Sequence, residues 1–169
     1  YLQNMEHTAD YLTGRILCTS MEDRIAIGSD YIETYVGSME NSLVYLGACE
    51  TGKDAVFANA FLDKGAAAVV GNSDTVLTDY TQAMQREILT CMTQINPATN
   101  QYYTLDEALQ YAQEIHGDTD GAFGARVVIF GGSQAREYRL GDSQRNVLQD
   151  LVGVYQGSYF ATQGETGLT

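Results

Sequence analysis

Two short apolar runs on either side of an amphipathic stretch constrain the fold of this chain more than any other feature. The first run, residues 41–48, reads NSLVYLGA, and the second, residues 66–71, reads AAAVVG. Near-continuous apolar runs of this length are typical of strands that are covered on both faces. Between them, residues 54–64 carry apolar side chains on one helical stripe, and Gly65 ends the pattern. Residues 42–71 therefore predict a right-handed strand–helix–strand crossover with parallel strands.

The rest of the chain continues the alternation of helices and strands. Residues 78–92 carry apolar side chains at helical spacing, which include Cys91, and we interpret that cysteine as a core residue. The residues TLDE, 104–107, form a capping-box pattern at the start of another amphipathic stretch. Residues 124–132 predict a further apolar strand, and residues 136–140 predict a hairpin partner for it. The sequence thus predicts an α/β fold.

The length of the chain indicates one domain, and its two termini indicate that the protein is longer than this sequence. We assign the domain to residues 1–148, and the β-rich composition of residues 149–169 predicts the start of a following segment or domain. The chain begins with Tyr1 and without an apolar leader, so we interpret it as a piece of a larger protein. The 12 tyrosines and the composition of the last residues favour a secreted or cell-surface protein.

Charge and cysteine content exclude several classes of function. The formal net charge is −13, from 9 basic and 22 acidic residues, which argues against binding to a nucleic acid backbone. The same charge favours a basic ligand, although an acidic balance also simply aids solubility. No apolar run is long enough to predict a membrane span. The three cysteines are far apart and form neither a disulfide framework nor a CxxC metal pattern, so no metal site is predicted.

Cys49 lies where the first apolar run ends. In an open α/β sheet, functional groups gather at the carboxyl ends of the strands. The predicted crossover brings the ends of its two strands to one edge, so Cys49 should lie, accessible, beside residues 71–74. A helix that begins near Lys53 or Asp54 would favour the thiolate. The alternative is that Cys49 is a small, inert core residue, as free cysteines commonly are.

A resemblance extends this interpretation. Residues 41–76, NSLVYLGACETGKDAVFANAFLDKGAAAVVGNSDTV, resemble the segment around the catalytic cysteine of caspase-like peptidases. They are most similar to the bacterial branches, which are the CHAT domains, clostripain and the gingipains. The matching pieces are the apolar strand, Ala48-Cys49-Glu50, Gly52, Ala60-Phe61 and Val69-Val70-Gly71. The resemblance implies a three-layer αβα sandwich of the caspase–hemoglobinase type with a mostly parallel sheet, and it makes residues 1–148 a catalytic domain that lacks its N-terminal part.

The resemblance also implies a Cys–His dyad. The Cys49 thiolate would attack the peptide carbonyl, a histidine would protonate the leaving amine, and backbone N–H groups would stabilise the oxyanion. One of these N–H groups would be that of Cys49, and the other comes from a glycine that follows the histidine.

The identity of the histidine is open. The chain has two, His7 and His116, whereas the family's histidine ends a strand before the cysteine and is followed by glycine. His7 precedes Cys49, but its context, MEHTAD, has no glycine and is typical of a helix surface. His116 is followed by Gly117, but it lies after Cys49 and ends a helical pattern. His7 stays a candidate, and the principal expectation is a histidine upstream of Tyr1 or on a second chain of the same precursor.

Four further residues are candidates for contacting a substrate. Asn72, Ser73 and Asp74 follow the second strand, where the resemblance implies a specificity pocket, and an acid there would favour arginine or lysine in the substrate. The alternative is that they cap the next helix. Glu50, beside the thiol, either orients the substrate or is simply solvated.

The resemblance thus implies a cysteine endopeptidase with a peptide or protein substrate and a preference for basic residues at the cleavage site. No cofactor is predicted, and activation by calcium is an alternative that the residues do not decide. The rival interpretation is a caspase-like domain without catalysis that serves as a protein-interaction or scaffold module.

Overall fold

The computed structural model describes residues 8–18 and 25–140, and these residues form a mixed α/β arrangement of helices and small sheets. His7 and the segment 149–169 lie outside the described residues. The described elements are, in chain order, α1 (Thr8–Leu12), β1 (Ile16–Cys18), β2 (Ile25–Ile27), α2 (Ser29–Tyr35), β3 (Leu43–Tyr45), α3 (Val56–Leu62), β4 (Ala68–Asn72), α4 (Thr78–Met92), β5 (Ile95–Asn96), β6 (Gln101–Tyr102), α5 (Leu105–His116), β7 (Val127–Phe130) and α6 (Gly132–Arg136).

The predicted strand–helix–strand unit is confirmed. β3 and β4 pair in parallel, with Val44 opposite Val69, and α3 connects them. All residues of both strands are buried, as the near-continuous apolar runs require. α3 begins at Val56, two to three residues later than predicted, because Asp54 Oδ1 accepts a hydrogen bond from the Val56 N–H and holds residues 54 and 55 in a turn.

Successive side chains of β3 and β4 contribute to two separate core clusters. Val44 and Val69 pack with residues of α2 and α3. Leu43 and Val70 pack with residues of α4 and α5, among which Met84 and Ile88 are fully buried. Because side chains alternate between the two faces of a strand, these two strands are covered on both faces.

β7 runs antiparallel to β4 because two long helices, rather than one, connect these strands. α4 leads the chain away from the carboxyl edge of β4, and α5, which packs along α4, brings it back. At that end the Tyr80 hydroxyl donates to the Gly117 carbonyl at 3.0 Å. The chain then enters β7 at the same edge, where Val127 pairs with Asn72. The prediction of a mostly parallel sheet is therefore wrong for the described strands, which form the mixed sheet β3–β4–β7 and two antiparallel pairs.

Two local predictions also differ from the structure. Residues 136–140 do not form a hairpin with β7; the chain turns at Gly131, which has φ 113°, directly into α6. The turn places Ala135 against the strand end, where it is buried, and this packing replaces the predicted pairing. Within residues 8–18 and 25–140, no helix is long and apolar enough to cross a membrane.

The capping box at the start of α5 is confirmed. Thr104 Oγ1 accepts from the Glu107 N–H at 3.1 Å, and Glu107 Oε2 accepts from the Thr104 N–H at 2.8 Å. We expect Thr104→Ala to lower the free energy of unfolding by about 1 kcal/mol, because it leaves a helix N–H without its acceptor. Urea denaturation measures the change. Thr90→Ala, at an exposed position of α4, is the control, and equal stability of the two variants would contradict the prediction.

Candidate functional site

The turn that carries Cys49 is tied along its length to the segment after β4. The Glu50 N–H donates to the Asp74 carbonyl at 3.0 Å, and the Gly52 N–H donates to the Asn72 carbonyl at 2.7 Å. Glu50 adopts a left-handed backbone conformation with φ 60°, which reverses the chain directly after Cys49. Cys49 therefore lies at the carboxyl edge of β3 beside residues 72–74, as the parallel crossover predicts.

A threonine hydroxyl replaces the next backbone hydrogen bond between β3 and β4. The last direct bond runs from the Leu46 N–H to the Val70 carbonyl at 2.7 Å. Beyond it, Thr51 Oγ1 accepts from the Asn72 N–H at 3.2 Å and lies 2.8 Å from the Leu46 carbonyl and 3.0 Å from the Ala48 carbonyl, to one of which it donates. The inserted hydroxyl accepts from the end of β4 and can donate to the end of β3 while the backbones separate. This separation makes room for the Cys49 turn.

Cys49 is exposed, and its sulfur is held by the backbone of Val76. Sγ lies 3.4 Å from the Val76 nitrogen, which can donate to it, and 3.7 Å from the Val76 carbonyl, to which a thiol can donate. Among residues 8–18 and 25–140, the Cys49 N–H donates a hydrogen bond to no acceptor. The site thus presents an accessible sulfur and a free backbone donor from one residue. Cys91, by contrast, is buried in the core, as predicted.

Asn72 lies beneath this turn rather than on its surface. Its side chain is fully buried, and Nδ2 donates to the Ala48 carbonyl and to Thr81 Oγ1, both at 3.1 Å. Its Oδ1 has no partner within the described part of the chain. Thr81 also hydrogen-bonds the buried Tyr45; burial raises the pKa of Tyr45, and this hydrogen bond lowers it in part. An enclosed amide cannot contact a substrate in this arrangement, so Asn72 differs from the pocket residue that the sequence suggested.

Ser73 and Asp74 lie in different surroundings. Ser73 Oγ accepts from the Arg126 N–H at 2.9 Å, and the Ser73 N–H donates to the Arg126 carbonyl, so Ser73 extends the pairing of β4 with the chain before β7. Asp74 is exposed, and its Oδ1 accepts from the Thr75 N–H at 2.7 Å. Neither caps α4, whose N-cap is Leu77, so the helix-cap alternative is wrong.

The surface around the thiol is acidic. Glu50 is exposed and pairs with Lys53, with Oε1 2.8 Å from Nζ. The hydrogen bond to Glu50 raises the pKa of Lys53, and the carboxylates of Asp74 and Asp54 add smaller contributions in the same direction. Four charged side chains are therefore close enough to interact, and three of them are negative. They are Lys53 and the carboxylates of Glu50, Asp54 and Asp74.

The structure does not bring His116 to the thiol. His116 ends α5, and its Nε2 lies 3.9 Å from Glu87 Oε2 on α4. The hydrogen bonds of Cys49 Sγ within the described residues are those with Val76. His116 therefore belongs to the contact between α4 and α5, and the position of His7 falls outside the description.

Sequence reasoning missed Asp120, which supports the site from behind. Its carboxylate is buried, with Oδ2 2.8 Å from the Leu77 nitrogen and Oδ1 2.6 Å and 2.8 Å from the nitrogens of Phe123 and Gly124. It thereby joins the loop before β7 to the start of α4, directly after Val76. The only local signal is the sequence DTDG, which is typical of a turn.

The candidate site can be compared with what is known elsewhere. No group of three or more His, Cys, Asp or Glu side chains that could hold a metal occurs among the residues that the structure describes. Comparison with known protein families, with curated proteins and with solved structures gives no significant match.

Proposed function

We propose that this protein is a cysteine endopeptidase in which Cys49 is the nucleophile. The observation that carries the proposal is the pairing, in one residue, of an exposed thiol at the carboxyl edge of β3 with a backbone N–H that no described acceptor occupies. The thiolate would attack the substrate carbonyl, and the N–H of the same residue would stabilise the oxyanion that forms.

The fold that we propose for the complete domain is the three-layer αβα sandwich of caspase-like peptidases. Two core clusters on β3 and β4, one with α2 and α3 and the other with α4 and α5, are compatible with helices on both faces of a sheet. β3 is an edge strand among the described strands, although its side chains are buried. We propose that a further strand, which carries the catalytic histidine, pairs with this edge.

The histidine must come from outside the described residues. A dyad needs a proton donor within hydrogen-bond reach of the leaving amine, whereas His116 Nε2 lies 3.9 Å from Glu87 Oε2 and makes no hydrogen bond with Cys49. The proposal allows three sources, which are a histidine upstream of Tyr1 in the parent chain, a histidine on a second chain of the same precursor, and His7. A second chain also accounts for a strand beside β3.

The substrate that we propose is a peptide or protein with arginine or lysine at the cleavage site. The exposed carboxylates of Asp74 and Glu50 flank the turn of Cys49, and Lys53 pairs with only one of them. Asp74 forms no salt bridge with a described residue and contributes less than Glu50 to the environment of Lys53, so it is the stronger candidate for the specificity determinant. A secreted or cell-surface location is part of the same proposal and depends on composition alone.

The second candidate function is a protein-interaction or scaffold module that has lost catalysis. It is favoured by one observation, namely that no histidine in the described part of the chain contacts Cys49. Both candidates predict the same fold and differ in the reactivity of the thiol toward substrate-like electrophiles.

Labelling with a peptidyl acyloxymethyl ketone tests the proposal. The native protein, purified with any chain that accompanies it, is treated with reagents that end in arginine or in glutamate, and the adduct is located by mass spectrometry. We expect the arginine reagent to modify Cys49 and a second chain to co-purify. The 169-residue chain alone should react slowly and hydrolyse no lysine or arginine peptide.

The controls separate the alternatives. Cys49→Ala should abolish the adduct in the native assembly, and Asp74→Asn should reduce the preference for the arginine reagent over the glutamate reagent. Full hydrolysis by the 169-residue chain that is lost in His7→Ala would identify His7 as the dyad member. Labelling of Cys91, or no labelling of the native assembly by either reagent, would contradict the peptidase function and favour the scaffold module.

A further inference from the structure

The buried amide of Asn72 holds one particular peptide group of the turn. Its Nδ2 donates at 3.1 Å to the carbonyl of Ala48, and that carbonyl belongs to the same peptide unit as the N–H of Cys49. The assignment of Nδ2 to this position follows from chemistry, because both neighbours in contact, the Ala48 carbonyl and the Thr81 hydroxyl, can accept a hydrogen bond.

Planarity of the peptide converts this contact into an orientation of the N–H. A trans peptide is planar, and its C=O and N–H point in opposite directions. Because the Ala48 carbonyl is held toward a residue that is fully buried, the Cys49 N–H must point away from the interior. It is also the N–H that finds no acceptor among the described residues. An oxyanion donor requires this combination of fixed direction and free hydrogen.

Stability alone does not account for this amide. Asn72 Oδ1 is buried and has no partner within residues 8–18 and 25–140. A buried acceptor without a partner costs folding free energy, and an apolar side chain of the same shape would avoid that cost. The benefit of an amide at this position is therefore the donor that it supplies to Ala48 and Thr81.

We infer that Asn72 is a positioning residue that fixes the Ala48–Cys49 peptide so that the Cys49 N–H is presented as the oxyanion donor. The catalytic meaning of this inference rests on the proposed function, whereas the orientation itself does not. Without Asn72 the peptide can rotate, since its carbonyl retains only the shared hydroxyl of Thr51 at 3.0 Å.

Two variants separate positioning from packing. Asn72→Leu removes the donor and keeps a similar side-chain shape, and Thr81→Val removes the other acceptor of the same amide but leaves the bond to Ala48 in place. If Asn72→Leu does not fold, Asn72→Ala, which adds no bulk, replaces it. The melting temperature of each variant is measured first, and all further measurements are made well below it.

The first readout is independent of activity. The ¹³C shift of the Ala48 carbonyl, measured by NMR on the 169-residue chain, should move in Asn72→Leu and remain unchanged in Thr81→Val. An unchanged shift in Asn72→Leu would overturn the inference, because the carbonyl would then not depend on Asn72.

The second readout compares two reagents for the same thiol. A peptide aldehyde that ends in arginine adds to Cys49 and forms an oxyanion, whereas iodoacetamide alkylates sulfur without one. In the native assembly we expect Asn72→Leu to weaken aldehyde binding about tenfold. This effect is smaller than the loss of about 10²–10³-fold in kcat that follows removal of an oxyanion donor itself, because Asn72 only positions the donor. Alkylation of Cys49 by iodoacetamide should change less than aldehyde binding, and Cys91 should stay unreactive as a check on folding.

Each outcome is decisive. Equal losses of aldehyde binding in Asn72→Leu and Thr81→Val, or no loss in the former, would overturn positioning of the oxyanion donor. If the wild-type assembly binds no peptide aldehyde and gives no adduct with the acyloxymethyl ketone, the proposed function fails. The orientation of the Ala48–Cys49 peptide is then supported or overturned by the carbonyl shift alone.

Discussion

Gly71→Ala is expected to lower the free energy of unfolding by about 2–3 kcal/mol, which is the upper part of the range for overpacking a buried site. A Cβ atom on Gly71 would lie 2.9 Å from the nitrogen of Gly52 and 2.9 Å from the carbonyl carbon and oxygen of Thr51. These neighbours are backbone atoms, which cannot move aside as a side chain can. The turn would have to shift away from β4.

The displaced turn should also lose its hydrogen bonds with the segment after β4. The Gly52 N–H bond to the Asn72 carbonyl and the Thr51 contact with the Asn72 N–H both cross the point of the clash. We therefore expect the rate at which iodoacetamide alkylates Cys49 to differ between Gly71→Ala and wild type, even under conditions in which the variant is folded. Urea denaturation and site-resolved mass spectrometry measure the two effects.

Gly121→Ala is the matched control. A Cβ atom on Gly121 would meet nothing within 4 Å, and the residue is exposed. Its substitution should change stability by no more than about 0.5 kcal/mol. A Gly71→Ala variant as stable as Gly121→Ala would show that the turn is not packed on β4 as closely as the structure indicates.

Local patterns carried most of what could be predicted from the sequence. The apolar runs of β3 and β4, the helical stripe of α4 and the residues of the α5 capping box each lie within a short window, and each is found where expected. The place of Cys49 beside residues 72–74 followed from one inference about topology. Parallel strands that a single helix connects end at the same edge of a sheet.

The direction of β7 could not be read in the same way. It depends on whether α4 and α5 together return the chain to the edge that it left, and no pattern within β7 records this. Residues 136–140 were expected to pair with β7 as a hairpin, but the chain turns at Gly131 into the short helix α6, whose Ala135 packs against that glycine. The secondary structure of such a short segment depends on its tertiary contacts, because local propensity contributes little over five residues.

The supporting residues of the site were the least predictable part. Asn72 is a polar residue at the carboxyl end of a buried strand, where ligands commonly bind in α/β sheets, so its enclosed contact with the Ala48 carbonyl was not expected. The carboxylate of Asp120 accepts a hydrogen bond from the N–H of Leu77, which lies 43 residues away along the chain. Long-range polar contacts of this kind depend on the completed fold.

Asp120→Asn is expected to destabilise the protein strongly at neutral pH and much less in acid. Burial raises the pKa of Asp120, but hydrogen bonds from the N–H groups of Leu77, Phe123, Gly124 and Ala122 lower it further, so that the pKa in the folded protein lies below its usual value. An asparagine oxygen could keep the contacts of Oδ1, but its amide nitrogen would then face the Leu77 N–H, and two donors would oppose each other.

The sign of the pH dependence follows from the lowered pKa. The unfolded chain binds a proton at Asp120 at higher pH than the folded protein does, so the stability that the carboxylate contributes is fully present above about pH 4. It is lost as the pH falls through the lowered pKa of the folded state. The difference in stability between wild type and Asp120→Asn should therefore be largest near pH 7 and should shrink as the pH falls below about 4.

Urea denaturation of both proteins between pH 3 and pH 7 measures this difference, with Asp118→Asn as the control. Asp118 is exposed two residues away, and its substitution should leave the stability nearly unchanged at every pH. Asp120 holds the start of α4 directly after Val76, and Val76 contacts the Cys49 sulfur. The rate at which iodoacetamide alkylates Cys49 should therefore change in Asp120→Asn and stay at the wild-type value in Asp118→Asn. A difference between wild type and Asp120→Asn that does not vary with pH would mean that the contribution comes from packing, and that the charge on the carboxylate does not hold the loop to the helix.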